Sequence, residues 1–149
     1  MLVDGLPVPP RLLALMDRGL WPRTSAEELK QNLKSLVPKE RVQSFAPEED
    51  RIYLIKPPFD TVAKARSARE SKFWSSHGAL EGIAPDLCVI IADFGLGSDS
   101  PVLLDYRQDR FNPAVIRLQW RKPQPNVWVC CANDFNEFAD KLGLDDVRK

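Results

Sequence analysis

The sequence predicts an α+β fold in one domain: a mainly antiparallel sheet of about five or six strands, helices packed mostly on one face, and a closing C-terminal helix. Three observations predict it. The chain has 149 residues, the size at which one core is the default. Apolar spacing in the first half is helical, and from residue 87 onward it breaks into four strand-length segments. The connectors between those segments are too short for a crossover helix, so consecutive strands should pair antiparallel as a meander.

The first helix is expected over 10–20. Leu12, Leu13, Leu15, Met16 and Leu20 form its apolar set, Pro10 occupies a tolerated first-turn position, and Gly19 and Pro22 end it. Ser25-Ala-Glu-Glu28 reads as a capping box, after which Leu29, Leu33 and Leu36 fall on one face until Pro38 stops the helix. These elements make 1–50 a helical N-terminal part. A strand-rich part, 51–132, begins with a short strand at 52–55, between the acidic 48–50 and Pro57-Pro58. One helix is then expected over 61–77, anchored by Val62, Ala65, Phe73 and Trp74 and stopped at Gly78.

The four main strands are expected at 87–92, 102–106, 114–120 and 127–132, separated by turn-rich pieces at 95–101, 108–113 and 121–126. In the third, Val115, Arg117 and Gln119 share one face, and Ala114, Ile116, Leu118 and Trp120 share the other, which predicts burial on one side only. The closing helix, 133–144, takes Asn133 or Asp134 as its N-cap. Phe135, Phe138, Ala139 and Leu142 line its inner face, and Gly143-Leu144 supplies a left-handed stop with an apolar residue that folds back.

Composition narrows the function classes. Twenty-one Lys and Arg balance 21 Asp and Glu, against the basic excess that holds nucleic-acid phosphates. A single histidine excludes a centre built on two or three imidazoles. The N-terminal stretch has no basic lead and is broken by Asp4 and prolines, unlike a secretory signal, and no apolar run reaches membrane-span length; the expectation is a cytoplasmic protein. Cys88, Cys130 and Cys131 show no zinc spacing and read as small buried hydrophobes. The charge is unevenly divided: residues 1–75 hold 13 basic and 10 acidic side chains, leaving 8 and 11 for 76–149.

Several motifs invite chemistry and do not sustain it. Asp93-Phe-Gly-Leu-Gly97-Ser-Asp99 suggests a kinase metal ligand or a phosphate loop, yet a strand follows where a phosphate loop needs a helix, so a glycine-permitted turn is the better reading. Asp93, Asp99, Asp105 and Asp109 lack the spacing of a calcium-binding loop. His77 has serine neighbours but no nucleophile elbow, and reads as a helix-terminal histidine. Lys56, Lys64, Arg66, Arg69 and Lys72 give a local basic surplus with no interleaved aromatic platform, which reads as a solvated face. Trp74, Trp120 and Trp128 read as core side chains before interface anchors. No cofactor or metal is called for.

The ordered string from residue 87 carries a family resemblance: a strand ending in Asp93-Phe-Gly95 with Gly97, a strand ending in Leu104-Asp105-Tyr106, Pro113-x-Val115 leading to Trp120, a strand with Trp128, and Phe135-x-x-Phe138-x-x-x-Leu142-Gly-Leu144. With IYLIKPPF at 52–59, it resembles the SUKH superfamily, which includes Smi/Knr-type cell-wall-assembly regulators and many bacterial immunity proteins. The likeness covers about two-thirds of the chain. At the N-terminus, where many members have Leu-Pro, a helix and an Asn-Gly-Gly turn, this chain has Leu6-Pro7-Val-Pro-Pro10 and then Asp17-Arg-Gly19-Leu20-Trp21.

The resemblance implies a non-enzymatic binding fold whose signature residues are Gly95, Gly97, Asp105, Tyr106, Trp120, Trp128, Phe135, Phe138, Leu142 and Gly143. It implies a protein partner, a toxin domain neutralised by stoichiometric binding, with no nucleic acid or membrane bound directly. If that toxin is a nuclease, its cleft is basic, and Asp93, Asp99, Asp105 and Asp109 become the candidate contacts, in the acidic half of the chain. The alternatives are a regulatory or scaffolding module of the same fold, or a small hydrolase or metal-dependent enzyme using His77 or the aspartates.

Overall fold

The structure is a computed structural model that describes residues 1–68, 71–94 and 99–146. It opens on an antiparallel ribbon, β1 (Leu2–Val3) and β2 (Leu6–Pro7). Both turn residues have positive φ, Asp4 at 49° and Gly5 at 85°, the backbone that an Asp-Gly hairpin turn supplies. The N-terminal part is therefore not purely helical. Helices α1 (Pro10–Asp17), α2 (Ser25–Leu29) and α3 (Lys39–Gln43) follow. Then come β3 (Tyr53–Leu54), α4 (Val62–Arg66), α5 (Ser71–His77), β4 (Cys88–Asp93), β5 (Pro101–Asp105), β6 (Ala114–Arg121), β7 (Gln124–Ala132) and α6 (Phe135–Leu142).

The α+β class and the meander hold: the five-stranded sheet runs β3-β4-β5-β6-β7, every pair antiparallel. Helices α1, α3 and α6 cover its major face, where Leu12, Leu15, Val42, Phe135 and Phe138 meet Val89, Ile91, Leu104 and Val115. A smaller core closes the other face, with Val62, Ala65 and Trp74 of α4 and α5 against Cys88, Leu103 and Ile116. Burial of β6 on one side only is thus corrected. Val115, Ile116, Arg117 and Leu118 are all buried, because the face that carries Val115 and Arg117 packs into the major core while α4 and α5 cover the opposite face at Ile116. Arg117 is accommodated on the major face by a bidentate pair with Glu48, at 2.7 and 3.2 Å, and by the Phe94 ring at 5.7 Å.

Three helical expectations change. The helix expected to run until Pro38 ends at Leu29 and passes into a 3-10 turn at Lys30–Asn32. The 61–77 helix is two helices, since α4 ends at the C-cap Ser67. The Ser67 hydroxyl donates to the Ala63 carbonyl at 3.0 Å, the local competition by which serine weakens a helix. The cap of α2 lies one residue earlier than expected: Thr24, not Ser25, accepts from the Glu27 N–H at 3.2 Å, while the Glu27 carboxylate takes the Thr24 hydroxyl.

Of the three leucines after that cap, Leu36 packs against the core and the other two point outward. Leu29 is 57% exposed and Leu33 93%, whereas Gln31 between them is 1% exposed. Its amide donates to the Leu54 carbonyl and accepts from the Leu54 N–H, both at 2.8 Å. Glu28 accepts from the Lys56 N–H at 2.8 Å, and the Trp21 indole donates to the Ile55 carbonyl at 2.9 Å. Side chains from residues 21–31 therefore occupy the outer edge of β3, satisfying backbone groups that an edge strand leaves open.

The last helix matches its sequence. Asp134 is the N-cap, accepting from the Glu137 N–H at 2.8 Å, and Gly143 takes φ +66° at the C-cap, with Leu144 buried against the core. Arg11 reaches Asp140 at 2.8 Å and Asp145 at 2.6 Å, tying α1 to this end of the chain. Among the described residues, no helix is long and apolar enough to cross a membrane.

Candidate functional site

The four candidate aspartates separate into two pairs at opposite ends of β5, a strand spanning about 13 Å. Asp93 and Asp99 bracket the β4–β5 turn, while Asp105 ends β5 and Asp109 sits in the turn after it. Within each pair one carboxylate is buried. Asp93 accepts from the Ser100 N–H at 3.0 Å, holding the neck of its turn. Asp105 receives the Arg107 guanidinium at 2.8 Å and the Arg107 N–H at 3.1 Å. Its hydrogen bond raises the Arg107 pKa despite the opposing effect of burial. Asp109 is exposed and accepts from the N–H groups of Phe111 and Asn112, at 2.8 and 3.0 Å, as a turn former. Asp99 is exposed with its carboxylate on the surface.

The signature residues divide in the same way. Phe135, Phe138 and Leu142 are core, and the Tyr106 hydroxyl donates to the Pro7 carbonyl at 2.8 Å. Trp128 is half-buried, stacked on Trp74 at 6.2 Å, with its indole N–H shared between the Gly78 and Ala79 carbonyls at 3.1 Å each. Gly95 and Gly97 lie outside the described residues.

Trp120 sits differently. It is half-buried, and its indole N–H donates to the Asp99 carbonyl at 2.6 Å, bringing the β4–β5 turn to the end of β6. The His77 ring lies 4.9 Å from it and the Lys122 ammonium 5.4 Å. Asn126 donates to the His77 carbonyl at 3.0 Å, fixing the end of α5 against β7. The result is an open groove of about 450 Å³, lined by Trp74, His77, Glu81, Trp120, Lys122 and Gln124 among others. Trp120 supplies apolar area above the buried Trp74, and exposed groups of both signs surround it. The further contact of the His77 ring is Phe73, at 6.0 Å.

A second open depression of about 530 Å³ lies between the β1–β2 turn and α4, lined by Asp4, Thr61, Lys64, Asp86 and Arg110. Three of its polar side chains, those of Thr61, Asp4 and Arg110, already serve the fold. The Thr61 hydroxyl donates to Asp4 at 3.1 Å and accepts from the Lys64 N–H at 3.2 Å as the cap of α4, and Arg110 donates to the Gly5 carbonyl.

Of the thiols, Cys88 and Cys131 are buried, and burial pushes each pKa up to about 12, far from a thiolate nucleophile. Cys130 is exposed, correcting the expectation that all three are buried: alternation sends it away from the face that holds Cys131. Among the described residues, no group of three or more His, Cys, Asp or Glu is placed to hold a metal ion.

The sequence singled out Trp120 and His77 separately and Asp99 as a carboxylate. Their convergence rests on contacts across 43 and 21 positions, beyond any local pattern. Lys122 and Gln124 carried no signal of their own. No protein-family model matches the chain, and neither the curated proteins nor the solved structures give a significant match.

Proposed function

We propose that this protein is a non-enzymatic binding module of the SUKH immunity type, acting in the cytoplasm and neutralising a toxin domain by stoichiometric occlusion. The observation that supports this reading is the Trp120 groove. Half-buried tryptophan in a concave site, ringed by exposed polar and charged groups, has the composition of an interface hot spot. Occlusion of this kind needs a contact of roughly 800 Å² per partner and no reacting group. If the toxin is a nuclease, Asp99 and Asp109 are the candidate carboxylates left exposed to meet its basic cleft, and Asp99 adjoins the groove.

The test is titration of the full chain into the product of the adjacent reading frame, with complex mass and toxic activity read together; a neighbour that neither binds nor is toxic would count against the reading. One equivalent should abolish activity in a 1:1 complex, and Trp120→Ala should weaken binding by about tenfold or more. Binding without inhibition would instead support the regulatory or scaffolding role. Hydrolytic turnover by the isolated chain that disappears in His77→Ala would overturn the non-enzymatic reading.

A further inference from the structure

The segment 24–34 is inverted relative to an ordinary amphipathic element. Its polar side faces inward, where Gln31 and Glu28 bind the β3 edge, and its leucines face water, Leu33 almost completely. A single exposed leucine is unremarkable, but buried glutamine between two exposed leucines is the informative combination. Leu29 closes α2 and Leu33 follows the 3-10 turn at Lys30–Asn32; both are exposed, as is Ala26 one turn earlier in α2.

The exposed charged residues of 23–34, around this apolar stripe, are all cations. Lys30 and Lys34 form the adjoining i, i+4 row and Arg23 precedes the cap; all three are exposed, and none makes an ion pair among the described residues. The two carboxylates of the segment keep their charge but are half-buried, Glu27 accepting from the Thr24 hydroxyl and Glu28 from the Lys56 N–H. A second copy of the same stripe would bring lysine against lysine, so self-pairing is disfavoured. A membrane is a poorer fit, because the apolar face holds two large side chains and no aromatic, short of an interfacial helix.

We infer that this stripe docks a partner protein through an acidic amphipathic helix, whose leucine-type side chains cover Leu29 and Leu33 while its carboxylates face Lys30, Lys34 and Arg23. The surface is independent of the Trp120 groove. It lies at the β3 edge of the sheet and the groove at the β6–β7 edge, separated by the width of the sheet, about 19 Å for four strand spacings.

The probe is a synthetic helical peptide with leucines on one face and glutamates on the other, titrated into the isotope-labelled full chain. Amide shifts should concentrate in residues 25–34. Leu29→Ser/Leu33→Ser should weaken binding about tenfold or more, and Lys30→Ser/Lys34→Ser about threefold, with affinity falling as salt rises. Because these side chains are exposed, both variants should keep the parent melting temperature, so lost binding is not lost folding. Trp120→Ala should leave peptide binding unchanged, which separates failure here from failure of the toxin reading. The inference is overturned if the peptide shifts no amide in 25–34, if a lysine-faced peptide of the same leucine pattern binds equally well, if the chain dimerises through the stripe, or if phosphatidylserine vesicles capture it in preference to the peptide.

Discussion

Gln31→Leu tests the inverted segment directly. In the structure the Gln31 amide closes two 2.8 Å hydrogen bonds with the backbone of Leu54 and a third, at 3.1 Å, with the Glu28 carbonyl. Leucine fills a similar volume and offers neither donor nor acceptor. The Leu54 N–H and C=O would be left buried without partners, at about 1–3 kcal/mol each, offset by about 1 kcal/mol of added apolar burial. The net loss should be about 3 kcal/mol, a large part of the roughly 5–15 kcal/mol that holds a domain of this size. Leu33→Ser at the neighbouring exposed site should change stability by no more than about 0.5 kcal/mol. Urea denaturation followed by tryptophan fluorescence and far-UV circular dichroism reads both variants. If Gln31→Leu is neutral or stabilising while Leu33→Ser costs more than about 1.5 kcal/mol, the leucines are inside, and both the β3 edge cover and the docking stripe fall. Gln31→Glu adds a pH signature. Its carboxylate accepts from the Leu54 N–H but donates to the Leu54 carbonyl only when protonated, so its deficit should shrink as pH falls.

Three other outcomes follow from the packing. Burial raises the Glu48 pKa, but its hydrogen bonds with Arg117 outweigh that and hold it below the ordinary 4.5. The pair's stabilisation is therefore complete above about pH 4.5 and is lost as pH falls through the lower folded value. Glu48→Gln should flatten that acid dependence and cost about 2 kcal/mol at neutral pH, less than a fully buried pair because the Glu48 side chain is 42% exposed. Iodoacetamide at neutral pH should place one adduct on the native chain, at Cys130, with Cys88 and Cys131 reacting only after denaturation; intact-mass spectra showing two or three native adducts would contradict their burial. Gly78→Ala should destabilise by about 2 kcal/mol, since its Cβ would stand 2.5 Å from the Trp74 ring and 2.7 Å from the Trp74 carbonyl; an unchanged denaturation midpoint would mean that α5 leaves Trp74 by another path.

Most of the sheet was legible because its signals are local and redundant. Each main strand carries its own apolar run and turn residues, and the short connectors leave antiparallel pairing as the available topology. The closing helix was legible for the same reason, with a cap, an apolar face and a left-handed stop in sequence. What was missed is what periodicity cannot encode. A spacing of four says that Leu29 and Leu33 share a face, not which way the face points, and Gln31 reverses it through bonds to a strand 23 positions away. The 61–77 segment keeps helical composition through Ser67, so only the hydroxyl's bond to Ala63 reveals the end of α4. The N-terminal ribbon did carry a signal, the Asp4-Gly5 pair, but strands of two residues are too short for any apolar alternation to support it. The groove was illegible as a site because Trp120 resembles a core tryptophan until His77 and Asp99 are brought beside it.

The charge division between the halves of the chain also takes a different meaning in three dimensions. The acidic surplus of 76–149 pointed to that half as a partner surface, yet many of its carboxylates are structural. Asp140 and Asp145 bind Arg11, and Asp145 also binds Arg18, so the first half's arginines meet the second half's acids across α1 and α6. The hydrogen bond from Arg11 holds the Asp145 carboxyl below the ordinary range against the effect of burial. Asp93 and Asp105 hold turns, and Asp134 caps α6. Opposite excesses in sequence are thus partly joined as ion pairs inside one fold. Arg23, Lys30 and Lys34 stand outside that pairing, beside the two exposed leucines. Net charge by segment therefore misplaces the available charge: an acidic half can commit its carboxylates to its own backbone, while cations with no ion pair among the described residues stay exposed in the basic half.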